Sequence, residues 1–256
     1  MLQRLLRRGK RAHDAPRTFP AAPPGCRIYA VGDIHGRLDL LEQIHQAILE
    51  DARSAAQLGK TCVYIGDYVD RGGNSRGVIN RLLSVPLPGF RAVHLLGNHE
   101  EMMLRFLDDV SIASIWLANG GDATLDSYGI EWRLHAGTDD METVRRTLRE
   151  SLPTPHLKFL RGLSLSHVAG DYLFVHAGIR PGRPVTQQDD QDLLWIRNEF
   201  LDSEVDHGKV VVHGHSISPA PDVRANRIGI DTGAFASGKL TCLALEGPNR
   251  WFLQTG

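Results

Sequence analysis

Five times along this chain an apolar run ends in glycine or another small residue, and side chains able to bind metal or carry protons follow at once. The segments are "AVGDIHG" with Asp33 and His35, "YIGDYVDRG" with Asp67, Asp70 and Arg71, and "LLGNHE" with Asn98, His99 and Glu100. "FVHAG" with His176 and "VVHGH" with His213 and His215 complete the set. A short apolar run bounded by turn residues reads as a buried strand. In open α/β sheets, sites form just beyond the carboxyl ends of strands. An Asp or Asn after one strand is most often a turn or helix cap. That accounts for any one segment but not for five, so the pattern predicts one convergent site on an α/β fold.

The intervening segments agree. "CRIYAVGD", "KTCVYIGD" and "FRAVHLLGN" read as strands, separated by helical periodicity over 38–56 and in "RGVINRLLSV". Pro86 and Pro88 stop the second helix. Strand, helix, strand, helix, strand predicts helices packed on a sheet. From 99 to about 163 the pattern is mainly helical. Strands return in "DYLFVHAG", "GKVVVHGH", "NRIGID", "KLTCLALEG" and "RWFLQT". The last three are close in sequence with short turns, which predicts antiparallel pairing among them.

At 256 residues, 42% hydrophobic and 23% charged, the chain can bury a substantial core. A net charge of −1 argues against a nucleic-acid or membrane partner held by global charge. No apolar run is long enough to span a bilayer, so no stable membrane insertion is expected. Cys26, Cys62 and Cys242 each lie in or beside apolar runs, the pattern of buried reduced thiols in a cytoplasmic protein. Residues 1–25 are rich in Arg and Lys and then in Pro and Ala, and read as a solvated tail. A catalytic domain is expected over 26–256.

The ligand types are carboxylate, imidazole and amide oxygen, with no thiolate. That chemistry suits Mn²⁺, Fe or Zn²⁺ and does not suit a soft-metal site. There are more ligands than one tetrahedral ion needs. Two ions bridged by one carboxylate would use them, as in paired-metal sites for displacement at phosphorus.

In this order, "GDIHG", "GDYVDRG", "GNHE", "HAG" and "HGH" closely resemble the PPP-type phosphoprotein phosphatases among the calcineurin-like metallophosphoesterases, nearest the short bacterial and phage-lambda-type members. The resemblance runs from about Arg27 to the C-terminus. It implies a four-layer α/β/β/α sandwich with two mixed sheets. It also implies two divalent ions, Mn²⁺ first with Fe or Zn²⁺ as alternatives. Asp33, His35 and Asp67 would hold one ion, and Asp67, Asn98, His176 and His215 the other. A hydroxide bridging the ions would attack phosphorus directly. His99 would be the general acid, with Asp70 orienting it. Arg71 and Arg197, the latter in "LLWIRNEF", would grip phosphate oxygens. The implied activity is that of a serine/threonine protein phosphatase acting on a phosphorylated protein.

The nearest rival is a symmetrical diadenosine tetraphosphate hydrolase. That group typically reads A-R-G where this chain has Asp70-Arg71-Gly72, and N-H-D where it has Asn98-His99-Glu100. A catalytically dead binding scaffold is the rival of another class, and the complete ligand set argues against it. Other residues receive structural roles. Glu100 is expected to open a helix, where acids suit the N-terminal dipole. His213 should alternate away from His215 along an extended segment. Asp231 is a turn residue or supports a ligand. Trp116 and "NGGDATLDSYG" are expected to serve helix packing and a glycine turn. His45, His135, His156 and His207 are expected on the surface or on helix faces, and His94 and His167 in the core or at an edge.

Overall fold

The computed structural model describes residues 19–134 and 140–256. Two five-stranded mixed sheets stack face to face. The first has the order β10-β9-β1-β2-β3, with β1 (Cys26–Val31), β2 (Gly59–Tyr64) and β3 (Phe90–His94) parallel. β9 (Thr241–Glu246) and β10 (Asn249–Gln254) complete it as an antiparallel hairpin on β1. The second has the order β4-β5-β6-β8-β7. In it β5 (Tyr172–Val175), β6 (Val210–His213) and β8 (Arg227–Gly229) are parallel. β4 (Ser166–Ala169) and β7 (Asp222–Val223) form antiparallel edges.

Alternation along the strands sorts the apolar residues into layers. Ile28, Ala30, Val63 and Ile65 face Phe174, Val212, Ile228 and Ile230 in a core between the sheets. Tyr29, Val31, Cys62 and Tyr64 point the other way, toward the helices. That outer layer holds α1 (Leu38–Ala52), α2 (Ser75–Leu83), α3 (Asn98–Asp108), α4 (Ala113–Trp116), α5 (Asp122–Ser127), α6 (Met141–Ser151) and α7 (Thr154–Arg161). On the far side of the second sheet, Leu173, Val175 and Val211 pack against α8 (Asp190–Trp195) and α9 (Asn198–Leu201) through Leu193 and Phe200. The result is the expected four-layer α/β/β/α sandwich. Each large aliphatic or aromatic side chain buried this way contributes about 1.5–3 kcal/mol, which is why two-faced strands read as near-continuous apolar runs.

Pairing among the last strands departs from expectation. β9 and β10 form the predicted hairpin, but β8 lies in the other sheet, parallel to β6. The connection from β8 passes through α10 (Ala234–Ser237), flanked by Gly233 and Gly238 in left-handed conformation. It carries the chain across the gap between sheets, so short sequence separation does not become pairing. β4, β7 and the helices α8 and α9 are elements the strand and helix periodicities did not separate. Ahead of β1, Ala22 N–H donates to Gly247 and Ala21 N–H to the Asp171 carboxylate. Packing thus begins before Cys26, and residues 1–18 lie outside the described part.

Two of the histidines expected on the surface or on helix faces lie on helix faces and are buried there. His45 shares a 2.8 Å hydrogen bond with the Tyr64 hydroxyl, and His156 is held by Tyr128 and Asn80. Both sit on helical faces that the adjacent layer covers. His207 is half-buried, and His135 lies outside the described residues. Cys62 and Cys242 are buried and Cys26 half-buried, all as free thiols. Among the described residues no helix is long and apolar enough to cross a membrane.

Candidate metal centre

The loops after β1, β2, β3, β5 and β6 meet at one edge of the sandwich, and all five motifs arrive there. The backbone at this edge is strained. His35, Asp67, Asp70, Arg71 and His215 all have φ between 45° and 70°. Such left-handed conformations disfavour side-chain-bearing residues and cost about 1 kcal/mol or more each. Their clustering at one edge marks the place where position has been favoured over local stability. Close approach matters too: a Cβ on Gly97 would lie 2.2 Å from Asp67 Oδ1, and one on Gly214 2.0 Å from Asp33 Oδ1.

Asp67 is at the centre. Its Oδ2 lies 3.4 Å from His35 Nε2, and its Oδ1 lies 3.4 Å from His176 Nε2. Ligand atoms of His35, Asp67 and His99 form one group within 4.8 Å, and those of Asp67, His176 and His215 form another. Asp67 alone belongs to both. Asn98 Oδ1 joins the second, 2.8 Å from His176 Nε2 and 2.9 Å from His215 Nδ1. Asp33 stands beside the first: its Oδ2 accepts the His215 N–H, and its Oδ1 is buried with no hydrogen-bond partner. The first group thus contains His99 where the sequence suggested Asp33.

These side chains fit a pair of cations. His35 Nδ1 donates to the Val69 carbonyl and His176 Nδ1 to the Ile65 carbonyl, both at 2.9 Å. Each ring therefore turns an Nε2 lone pair inward. Burial pulls His35 down to about 3 and also lowers His176, so both imidazoles are neutral, the ligand form. The inward lone pair of His176 faces the Asn98 amide oxygen, also an acceptor. Opposed acceptors 2.8–3.4 Å apart would suit neighbouring ligands of one cation. Burial, then the neighbouring Asp231 and Asp67, push the Asp33 carboxyl well above its usual range. A bound cation would relieve that repulsion and satisfy the stranded Oδ1.

Beside these groups lies a buried histidine–carboxylate pair. His99 Nδ1 donates to Asp70 Oδ2 at 2.7 Å, and the two rings His35 and His99 meet edge-on at 4.6 Å. Burial pulls the His99 imidazole down, but Asp67 and Asp70 outweigh it and leave its pKa above the usual value. Asp70 is itself cradled: Thr124 donates to Oδ1 at 2.6 Å and Trp116 Nε1 to Oδ2 at 3.0 Å. The segment expected to be structural thus reaches the site. Trp116 does pack in the helical core on Phe106, yet its one polar atom orients Asp70. Gly120 in the same segment accepts the Arg71 N–H at 3.0 Å. The separation of 46 residues between Trp116 and Asp70 hid this contact from the sequence.

Glu100 also does more than open α3. It is fully buried, and its oxygens accept the N–H groups of Gly97, Asp67, Tyr68 and Val69 at 2.7–3.1 Å. It clamps the loop that aims Asp67. Glu100→Gln exchanges one accepting oxygen for an NH₂ that faces backbone donors. Mn²⁺ affinity in that variant should fall about 10- to 100-fold by calorimetry, with a folded circular-dichroism spectrum.

Arg71 Nη1 donates to His35 Nε2 at 2.8 Å, putting a cation at the mouth of the site. Arg197 is exposed at the start of α9, and its charge contributes to lowering His176 and His215. Burial is the larger cause for His215, which falls to about 2. His213 turns away from the site, with its ring edge-on to Phe200 at 5.1 Å, as alternation predicts. Asp231 caps a turn by accepting the Gly233 N–H.

Comparison with known proteins agrees with this geometry. Residues 26–238 match the family model described as calcineurin-like phosphoesterase. Serine/threonine-protein phosphatase 2 of Escherichia coli strain K12 is 27% identical over 228 residues, covering 84% of this chain and 90% of that protein. A symmetrical bis(5'-nucleosyl)-tetraphosphatase of Dechloromonas aromatica strain RCB is 30% identical over 157 residues, 60% of this chain and 44% of that protein. Among solved structures, a candidate diadenosine tetraphosphatase superposes with a TM-score of 0.63 at 22% identity, covering 93% of this chain and 99% of the other. With a family model spanning most of its length and two shared-carboxylate ligand groups at the expected strand ends, the chain belongs to the calcineurin-like phosphoesterases.

Proposed function

We propose that this phosphoesterase is a serine/threonine protein phosphatase that hydrolyses phosphomonoesters on protein. The observation that carries the finer reading is the hydrogen bond from His99 to Asp70, reinforced on Asp70 by Trp116 and Thr124. Dinucleotide hydrolysis releases a nucleotide phosphate, a weakly basic leaving group that needs little help from an acid. A serine or threonine alkoxide is strongly basic and needs a proton as the P–O bond breaks. A histidine whose pKa Asp67 and Asp70 raise against the effect of its burial suits the second task.

Asp33, His35, Asp67, Asn98, His176 and His215 would hold the two divalent ions. Bound there, the ions would supply Lewis-acid charge and an acidic water as nucleophile. Mn²⁺ is the proposed occupant, with Fe and Zn²⁺ compatible with the same donors. Arg71 and Arg197 would bind phosphate oxygens through their guanidinium forks. His99 would protonate the leaving oxygen, and Asp70 would keep its Nδ1–H in place so that Nε2 carries the transferable proton. Glu100 and the backbone it gathers would hold Asp67 on its mark.

A second reading, hydrolysis of a bis(5'-nucleosyl) tetraphosphate, is supported by the names of several relatives. The test is turnover of a phosphoserine peptide and of diadenosine tetraphosphate by one Mn²⁺-loaded preparation. A kcat/KM at least about tenfold higher on the peptide is expected, a difference of about 1.4 kcal/mol in transition-state binding. Faster cleavage of the dinucleotide would replace the protein-phosphatase reading with the second one.

A further inference from the structure

α10 presents a large aromatic side chain that none of the three cores uses. Phe235 is half-buried, and its ring contacts are polar: the Arg71 guanidinium carbon lies 4.8 Å from its centroid, and His35 meets it edge-on at 5.5 Å. The platform beneath it is tied down on every side. Asp231 accepts the Gly233 N–H, and Ser237 Oγ donates to the Thr232 carbonyl. Thr232 Oγ1 donates to Lys239, and Arg37 reaches from before α1 to donate to the Ala234 carbonyl at 3.0 Å. So elaborate an anchorage for one short turn, with an aromatic ring aimed at a guanidinium, is not explained by core packing.

We infer that Phe235 is the positioning residue for Arg71, holding its guanidinium by a cation–π contact so that it meets the substrate phosphate pre-oriented. The inference rests on the phosphate role proposed above for Arg71. The Arg71 backbone is already fixed by its N–H to Gly120 and its left-handed φ of 65°. The long side chain beyond it is tied through Nη1 to His35 Nε2, a lone pair that a bound cation would take, and it must then stay close to a site built for cations, which repel it. The negative face of an aromatic ring offsets that repulsion and cuts the rotamer freedom lost when phosphate binds.

The experiment is calorimetric titration of inorganic phosphate into the Mn²⁺-loaded protein. Phe235→Leu keeps the bulk and removes the ring, Phe235→Tyr keeps the ring, and Phe235→Ala removes both. The Leu and Ala variants should weaken phosphate binding about three- to tenfold, and the Tyr variant should stay within about twofold of the parent. In an Arg71→Ala background, Phe235→Ala should add less than about a twofold change. If Arg71→Ala weakens phosphate binding but Phe235→Leu does not, or if the Phe235→Ala effect persists in full without Arg71, the positioning role is wrong. If Arg71→Ala leaves phosphate binding unchanged, the phosphate role of Arg71 fails first and this inference falls with it. Unchanged Mn²⁺ stoichiometry and melting temperature in Phe235→Leu separate these outcomes from general damage.

Discussion

Asp67→Asn should abolish phosphoesterase activity and, more tellingly, remove the stabilisation expected from added Mn²⁺. One site filled to a hundred times its Kd adds about 2.7 kcal/mol. For a chain of this size each kcal/mol raises Tm by roughly 2–4 °C. The parent should therefore melt at least about 5–10 °C higher with saturating Mn²⁺. The variant should show little or no shift, because its amide replaces the one carboxylate common to both ligand groups. An Asn NH₂ can donate to the His35 or His176 lone pair and so close the space a cation needs. Without metal, the same variant should be somewhat less stable than the parent near neutral pH. Burial raises the Asp67 carboxyl, but His176, His99, His35 and His215 outweigh it and hold the carboxyl below its usual range, a contribution the neutral amide loses. A variant that still bound two Mn²⁺ ions tightly, with the full thermal shift, would show that Asp67 does not bridge.

That experiment depends on residues readable from sequence. Asp33, His35, Asp67, Asn98, His176 and His215 follow apolar runs directly, and a parallel sheet brings such ends to one edge whatever the intervening helices do. The layers were legible for a related reason, since alternating residues of a strand buried on both faces are all apolar. What stayed hidden depends on contacts across long sequence separations. Nothing local in Trp116 or Thr124 signals that they donate to Asp70, because α4 and α5 must first fold against α2 and α3. Glu100 looks like a helix-opening acid, since helix N-termini attract acids for their own reasons; only the fold turns four backbone donors toward it. Proximity in sequence favours a hairpin of β8 with β9, whereas β8 pairs with β6 in the other sheet. Whether the chain turns back or crosses between sheets is decided by the left-handed glycines around α10. The same crossing delivers Phe235 to Arg71, which is why that pair was invisible before the fold was known.

His99→Asn should leave both metals in place and yet lower turnover of a phosphoserine peptide by about 10²–10⁴. The loss should be much smaller on an aryl phosphate whose leaving phenol is a weak base, because that leaving group departs without a proton. Dependence on the leaving group is what separates an acid from a ligand. His99 lies in one of the two ligand groups, with Nε2 3.8 Å from Asp67 Oδ2, so a metal role is the competing explanation. A ligand's loss would cut the Mn²⁺-induced thermal shift and harm all substrates alike. pH provides a second handle. The pKa of His99 is raised because Asp67 and Asp70 outweigh the burial that lowers it. The acid form needed for protonation is therefore present below that raised pKa and is lost as pH climbs through it. Asp70→Asn removes one of the two supporting charges, so the alkaline limb of kcat on the peptide should move to lower pH. It should move little on the aryl phosphate, where proton donation matters less. An unmoved limb in Asp70→Asn, or equal losses on both substrates in His99→Asn, would take His99 out of the acid's role and return it to the metal shell.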